Sequence, residues 1–258
     1  MASEAKFDVV IPAGGEIDGD YATEAATTIR ALAPVGAGQR PVLQVVIDAL
    51  RDSNKFGKIV VVGPDALQSN INGVDKWLPE PTGGAITGGP GNILSGLNEL
   101  DPTRTALVCT SDLPFLTADA VVDFVDRIDA TVDISAGTVS ADMYNARFPG
   151  APPSEFVRLA DLGPSTIACI FAVRPGAILG KMELVSSAFE ARKSQWGMVR
   201  LLGPRLLWEF ATKRMSAKSI ANRLERLLGC RIGLVENAPS ETAFDIDTIE
   251  DYRYSCKP

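Results

Sequence analysis

Continuous apolar runs alternate along the first half of the chain with stretches whose apolar positions recur at helical spacing. Residues 7–11 (FDVVI), 58–62 (KIVVV) and 106–110 (ALVCT) are the pattern of strands buried on both faces of a parallel sheet. Between the first two, Val42, Leu43, Val46, Ile47 and Leu50 fall on one helix face, with Pro41 suited to the first helical position. The alternation continues with a short helix over 65–69, an edge-like strand over 74–77, and helices over 92–100 and 118–128. Residues 132–135 return as a strand. Strands and helices in this order predict right-handed βαβ units. The pattern then loosens, with a helix or turn over 142–148 and strands over 156–159 and 167–173. From 175 to 228 the spacing is almost wholly helical, broken at Gly197, Gly203-Pro204 and Ser216, before a last strand at 231–235. The pattern as a whole predicts one domain over 1–258. It is a three-layer α/β/α, Rossmann-like fold with a mostly parallel sheet, carrying a helical insertion at about 175–228.

Composition narrows the chemistry. The 258 residues include no histidine, and the formal net charge is −7. Catalysis must then use carboxylates, Lys/Arg, backbone amides and an oxygen-ligated ion such as magnesium. An acidic chain does not make a general nucleic-acid binder. No apolar run approaches the ~20 residues of a membrane span, and the N-terminus shows no secretory pattern. Cys109, Cys169, Cys230 and Cys256 are scattered without CxxC spacing, so a reducing, cytoplasmic setting is expected. Oligomeric state stays open.

Four stretches can carry chemistry, each with an ordinary alternative. Asp112 ends the third strand in Ser111-Asp112-Leu113-Pro114, where open α/β sheets bind ligands. It either caps the helix that starts near Thr117 or holds a divalent metal. Pro12-Ala13-Gly14-Gly15 follows the first strand as a tight turn or an anion cradle. The glycine-dense residues 81–92 are a surface loop or a feed into a helix N-terminus that receives a nucleotide. Asp247 is a helix N-cap or a second acidic ligand, and Arg30 a structural ion pair or a phosphate contact. Between residues 188 and 231 there are ten Lys/Arg against three Asp/Glu, a solvated helix face or, through Arg192 and Lys193, a hold on a phosphorylated acceptor.

The ordered set IPAGG, RALAPVG, RPVLQVVIDAL, GGPGNILSGL, LVCTSDLPFL and FDIDTIEDY resembles the MobA-like nucleotidyltransferases. The resemblance runs from about residue 7 to 135 and resumes at 243–252. It implies a fold of the nucleotide-diphospho-sugar transferase type. It also implies magnesium-dependent transfer of an NMP group from an NTP to a small, phosphorylated sugar or cofactor acceptor, with release of pyrophosphate. On that pattern Ala13, Gly14 and Gly15 wrap the triphosphate, and Arg30 stands where the family has a lysine that steadies the α-phosphate. Gly89, Pro90, Asn92 and Ser95 line base and ribose, and Asp112 and Asp247 hold Mg2+, with Asp245 beside them.

Two departures stand out. Residues 16–20 (EIDGD) are acidic where the family loop carries an arginine, and Arg30 replaces a lysine, although a planar fork and a point charge place their protons differently. These departures keep open a nucleotide-binding module without turnover. A glycosyltransferase of the GT-A type, using a nucleotide-sugar, is the other alternative. That class usually has an Asp-x-Asp turn after the central strand, and Ser111 occupies the first of those positions here.

Overall fold

The computed structural model describes residues 7–83, 86–181, 184 and 195–257. The first strand, β1 (Phe7–Pro12), leads through helix α1 (Gly19–Ala25) to a two-strand ribbon of β2 (Pro34–Val35) and β3 (Arg40–Pro41). Helix α2 (Val42–Asp52) buries Val42, Leu43, Val46, Ile47 and Leu50, as the spacing requires. Pro41 is its N-cap rather than its first residue, because it is also paired with Pro34 in the ribbon. Strand β4 (Phe56–Val62) follows, then β5 (Lys76–Leu78), two residues later than the sequence indicates.

Helix α3 (Gly88–Leu97) starts four residues before the expected Asn92, so the glycines from Gly88 to Gly91 form its first turn. They serve packing. A Cβ on Gly96 of the same helix would lie 2.3 Å from Val10 Cγ1, which puts the helix backbone directly on β1. Gly96→Ala is therefore expected to destabilise the protein by about 1–3 kcal/mol through overpacking, a fall of several degrees in Tm. An unchanged melting curve would mean that α3 lifts off the sheet at no cost.

Strand β6 (Ala106–Cys109) is buried along its whole length and leads to α4 (Ala118–Asp126), β7 (Ile134–Ser140) and α5 (Ala141–Arg147). A hairpin of β8 (Val157–Leu159) and the long β9 (Gly163–Val173) follows, then α6 (Pro175–Ile178). Two longer helices, α7 (Gln195–Ala211) and α8 (Ala217–Leu228), precede β10 (Ile232–Val235) and the closing α9 (Ile249–Ser255). The break expected at Gly197 is absent, since that residue continues α7; the break comes at Gly203, with φ 75°, immediately before Pro204. Ser216 ends the segment as the N-cap of α8.

The main sheet runs β10-β7-β9-β6-β1-β4-β5, with β8 on β9. Neighbours are parallel except along β9, which lies antiparallel to β6, β7 and β8. Side chains alternate between two cores. Val9, Ile11, Leu107 and Cys109 pack with α2 and α4, while Val10, Val60, Ala106 and Val108 pack with α3 and α6. Three layers result. From β1 the chain steps outward to β4 and β5, then crosses back to place β6 on the other side of β1. The carboxyl ends of β1 and β6 thus flank a topological switch point, where a doubly wound sheet opens a ligand crevice.

Candidate active site

The glycine turn after β1 and the acidic turn after β6 meet at this crevice. Arg30 joins them: its backbone N–H donates to Gly15 O at 2.9 Å, and its Nη1 donates to Asp112 Oδ2 at 3.2 Å. The same nitrogen donates to Asp247 Oδ1. Burial alone would lower the Arg30 pKa, but Asp112 and Asp247 outweigh it and hold the guanidinium firmly charged.

Both helix-cap readings are overturned. Helix α4 is capped by Thr117, whose hydroxyl accepts from the Ala120 N–H at 3.2 Å, which leaves Asp112 free of that role. Helix α9 is capped by Thr248 in a reciprocal box with Asp251, so Asp247 lies outside it and points to Arg30.

The tail that carries Asp245 and Asp247 is pinned from several directions. Ile246 N–H donates to Asp112 O at 3.2 Å, and the Tyr21 hydroxyl donates to Ile246 O at 3.0 Å. Phe244, 1 % exposed, stands edge-on to Phe115 with ring centroids 5.0 Å apart. Asp245 faces β9, where Cys169 Sγ lies 3.7 Å from its Oδ2. Burial, then the charges of Asp112 and Asp247, push the Asp245 carboxyl up to about 7.

A carboxyl whose folded pKa exceeds its unfolded value favours the fold only while protonated. Its contribution is complete near pH 4 and is lost as pH rises to about 7. In chelator, Asp245→Asn should therefore melt above the wild type at pH 8, by ~1–2 kcal/mol after solvent screening, and match it at pH 4. Parallel Tm–pH profiles for the two proteins would remove this account of Asp245.

The acidic residues 16–20 are tied to the segment that precedes Arg30. Glu16 bridges back to Ile29, Ile17 N–H donates to Thr28 O at 2.9 Å, and the side chains of Glu16, Asp18 and Asp20 are exposed.

On the other side of Gly14 stand Glu80, two residues past β5, and Asn92 of α3, whose Nδ2 donates to Glu80 Oε1 at 2.8 Å. Of the remaining expected residues, Ala13 is buried, Pro90 and Ser95 are half-buried on α3, and Gly89 is exposed in its first turn. Arg192 and Lys193 lie outside the described residues. Sequence reasoning missed Glu80, Tyr21 and Cys169. The available signal for Glu80 was an acid between two prolines at the carboxyl end of a strand.

Among the described residues, no group of three His, Cys, Asp or Glu forms a ready metal cage. Magnesium asks for less, since one or two carboxylates suffice when substrate phosphates complete the shell. The site fits that demand. Asp112 Oδ1 is buried without a partner, Asp247 is within reach of the same guanidinium, and the donors are hard oxygens.

A doubly wound sheet with a glycine turn and an acidic turn at its switch point defines a nucleotide-handling α/β protein. The model of the MobA-like NTP transferase domain matches residues 10–174, more than half of the chain, and the protein belongs to that family. It is a nucleotidyltransferase, which separates it from the nucleotide-sugar glycosyltransferases. No curated protein matches the chain in sequence. Among solved structures, a hypothetical transferase from Thermus thermophilus superposes with a TM-score of 0.82 at 23% identity, covering 96% of this chain and 99% of that one. The 2-C-methyl-D-erythritol 4-phosphate cytidylyltransferase of Francisella tularensis follows at TM-score 0.55 and 15% identity, with 96% and 97% covered. The 4-diphosphocytidyl-2C-methyl-D-erythritol synthase of Anaerococcus prevotii has TM-score 0.52 and 13% identity, with 98% and 97% covered. At such identities the likeness shows the fold alone. Among the described residues, no helix is long and apolar enough to cross a membrane.

Proposed function

We propose that this nucleotidyltransferase uses magnesium to move an NMP group from an NTP to a small phosphorylated sugar or cofactor acceptor, releasing pyrophosphate. The observation that carries the reading is the convergence of Asp112 and Asp247 on Arg30 beside the Gly14-Gly15 turn. Asp112 and Asp247 would hold the ion, which neutralises charge on the phosphate oxygens and orients them. The turn between Ala13 and Gly15 receives the triphosphate through backbone N–H groups. Arg30 keeps a fixed positive charge where negative charge develops in the transition state, so it acts without reorganising. Histidine is dispensable, because an acceptor phosphate is already an anionic nucleophile at neutral pH.

We assign acceptor selection to the helices between β9 and β10. Ser165 pairs with Ser140, the last residue of β7, so the β8–β9 turn lies at the sheet end that carries Asp112. Asp161 of that turn accepts from Ala217 N–H at 3.0 Å and anchors α8 there. Arg205, Arg223 and Arg226 line a cavity of about 170 Å³ between α7 and α8 together with Glu209, which accepts from Arg205 Nε at 3.0 Å, so its wall is basic on balance.

Thermal melts with each NTP, with and without magnesium, test the reading. A ligand that binds only the native state stabilises by RT ln(1 + [L]/Kd), about 2.7 kcal/mol at a hundredfold excess. A stabilisation by NTP that chelator removes supports the proposal. Melting curves indifferent to every NTP with magnesium present would end it.

A further inference from the structure

Helix α1 has seven residues, well short of the ~12–15 at which an isolated helix persists in water. Its N-cap Asp18 makes no side-chain cap bond, and its buried residues Tyr21 and Ala25 lie one turn apart on a single face. What holds it is the C-terminal tail. The Tyr21 ring stacks on Tyr252 of α9 with centroids 5.1 Å apart, and Arg253 Nε donates to Glu24 Oε2 at 2.9 Å. One contact does more than dock the helix. The Tyr21 hydroxyl donates to Ile246 O, the carbonyl between Asp245 and Asp247.

That bond completes a two-sided grip. Ile246 N–H donates to Asp112 O while Ile246 O accepts from Tyr21, so the peptide units on both sides of Ile246 are fixed, one by the β6 turn and one by α1. The unit held by Tyr21 joins Ile246 to Asp247, and its plane sets the direction in which the Asp247 Cα leaves. The Asp247 side chain is 59% exposed, so packing does little to aim it and the backbone must. Ile246 and Tyr21 are both buried, which makes water a poor substitute for the hydroxyl. Burial raises the Tyr21 phenol well above its ordinary pKa, with Arg30 opposing and Asp112 adding, so the proton it donates is kept.

We propose that Tyr21 is a positioning residue for the reaction: by holding Ile246 O, it aims the Asp247 carboxylate at the ion position shared with Asp112. The inference rests on the reading of Asp112 and Asp247 as the holders of magnesium. Tyr21 touches neither ion nor nucleotide in this assignment and acts only through the backbone. A ligand carboxylate free to swing must be ordered when the ion binds, and that lost entropy is taken from the affinity. Groups that orient metal ligands from behind are typically worth about 10–100-fold in metal affinity or activity. The acidic segment 16–20 gains a use as well, since it carries the chain from the Gly14-Gly15 turn into the helix that bears Tyr21.

Tyr21→Phe tests this, because it keeps the ring on Tyr252 and removes only the hydroxyl. Glu24→Gln is the control, since it weakens the docking of α1 on α9 and leaves the Ile246 bond alone. In chelator, the Ile246 amide should exchange with deuterium at least about tenfold faster in Tyr21→Phe, and within about threefold of the wild-type rate in Glu24→Gln. Thermal melts of the full chain, with magnesium titrated in the presence of ATP, CTP, GTP or UTP, give the second readout. For an NTP that stabilises the wild type, the magnesium concentration at half stabilisation should rise about tenfold in Tyr21→Phe and stay within about threefold in Glu24→Gln. In an Asp247→Ala background, Tyr21→Phe should move that concentration by less than about threefold, because the group it aims is gone. Unchanged Ile246 exchange or an unchanged magnesium requirement in Tyr21→Phe overturns the assignment of Tyr21 alone. So does an equal shift in Glu24→Gln, or a full shift in the Asp247→Ala background. Failure of every NTP to stabilise the wild type with magnesium overturns the transferase reading and this one together.

Discussion

Asp112→Asn should lower the rate of pyrophosphate release by about 10²–10³-fold and abolish the magnesium-dependent part of NTP stabilisation. Asn has the shape of Asp, so the backbone bond from Ile246 N–H to Asp112 O persists and the tail keeps its place. What changes is charge. The ion pair with Arg30 Nη1 becomes a bond from the guanidinium to an uncharged amide oxygen, a loss of about 1 kcal/mol in stability. Part of that loss is offset, because Asp112 is the charge that most raises the Asp245 pKa, and its removal relieves that carboxyl. The variant should therefore melt close to the wild type and yet be almost inactive. Retention of more than about a third of the wild-type rate would show that the buried Asp112 Oδ1 has no part in the chemistry.

Arg30→Ala combines a kinetic and a structural effect. Turnover should again fall by about 10²–10³-fold, since a preorganised charge near the developing one is removed. Stability should fall by about 2 kcal/mol, because the Asp112 carboxyl, only 12% exposed, loses its partner. Magnesium gives this prediction a sign. If Asp112 and Asp247 hold a cation, millimolar magnesium should recover more Tm in Arg30→Ala than it adds to the wild type, where the guanidinium already sits between the two carboxylates. A differential-scanning comparison with calcium-free magnesium and with chelator reads this directly. Equal magnesium responses in the two proteins would remove the carboxylate pair as the ion's holder. Arg30→Lys should lie between, since a point charge restores attraction but cannot serve both carboxylates with a fixed fork.

Several parts of the fold are legible in the chain because burial on both faces leaves a local mark. The runs that become β1, β4 and β6 are continuous and apolar, and α2 buries the five positions its spacing names. The motifs are legible for a similar reason: Gly14-Gly15 and Asp112 each end a recognisable strand, and sheet topology sends those ends to one crevice. The start of α3 was less so. Four residues of glycine-rich sequence have poor helix propensity, and packing against β1 overrides it. Gly197 continues α7, whereas Gly203 leaves the helical region, which the following Pro204 disfavours, and takes a positive φ that glycine tolerates.

The sequence by itself determined an alternating α/β chain, the strands that are buried, and the order of the nucleotide-handling turns. Those properties follow from periodicity and from residue types adjacent in the chain. Tertiary structure alone decided that β9 enters antiparallel between β6 and β7, that Thr117 and Thr248 cap the helices, and that Arg30 serves both Asp112 and Asp247. It also decided that Glu80 lies against Gly14. Arg30 and Asp247 are 217 residues apart in sequence, and periodicity carries no information about which distant carboxylate a guanidinium meets. Only the crossing of β6 to the far side of β1, and the aromatic packing that holds the C-terminal tail over it, bring those charges together.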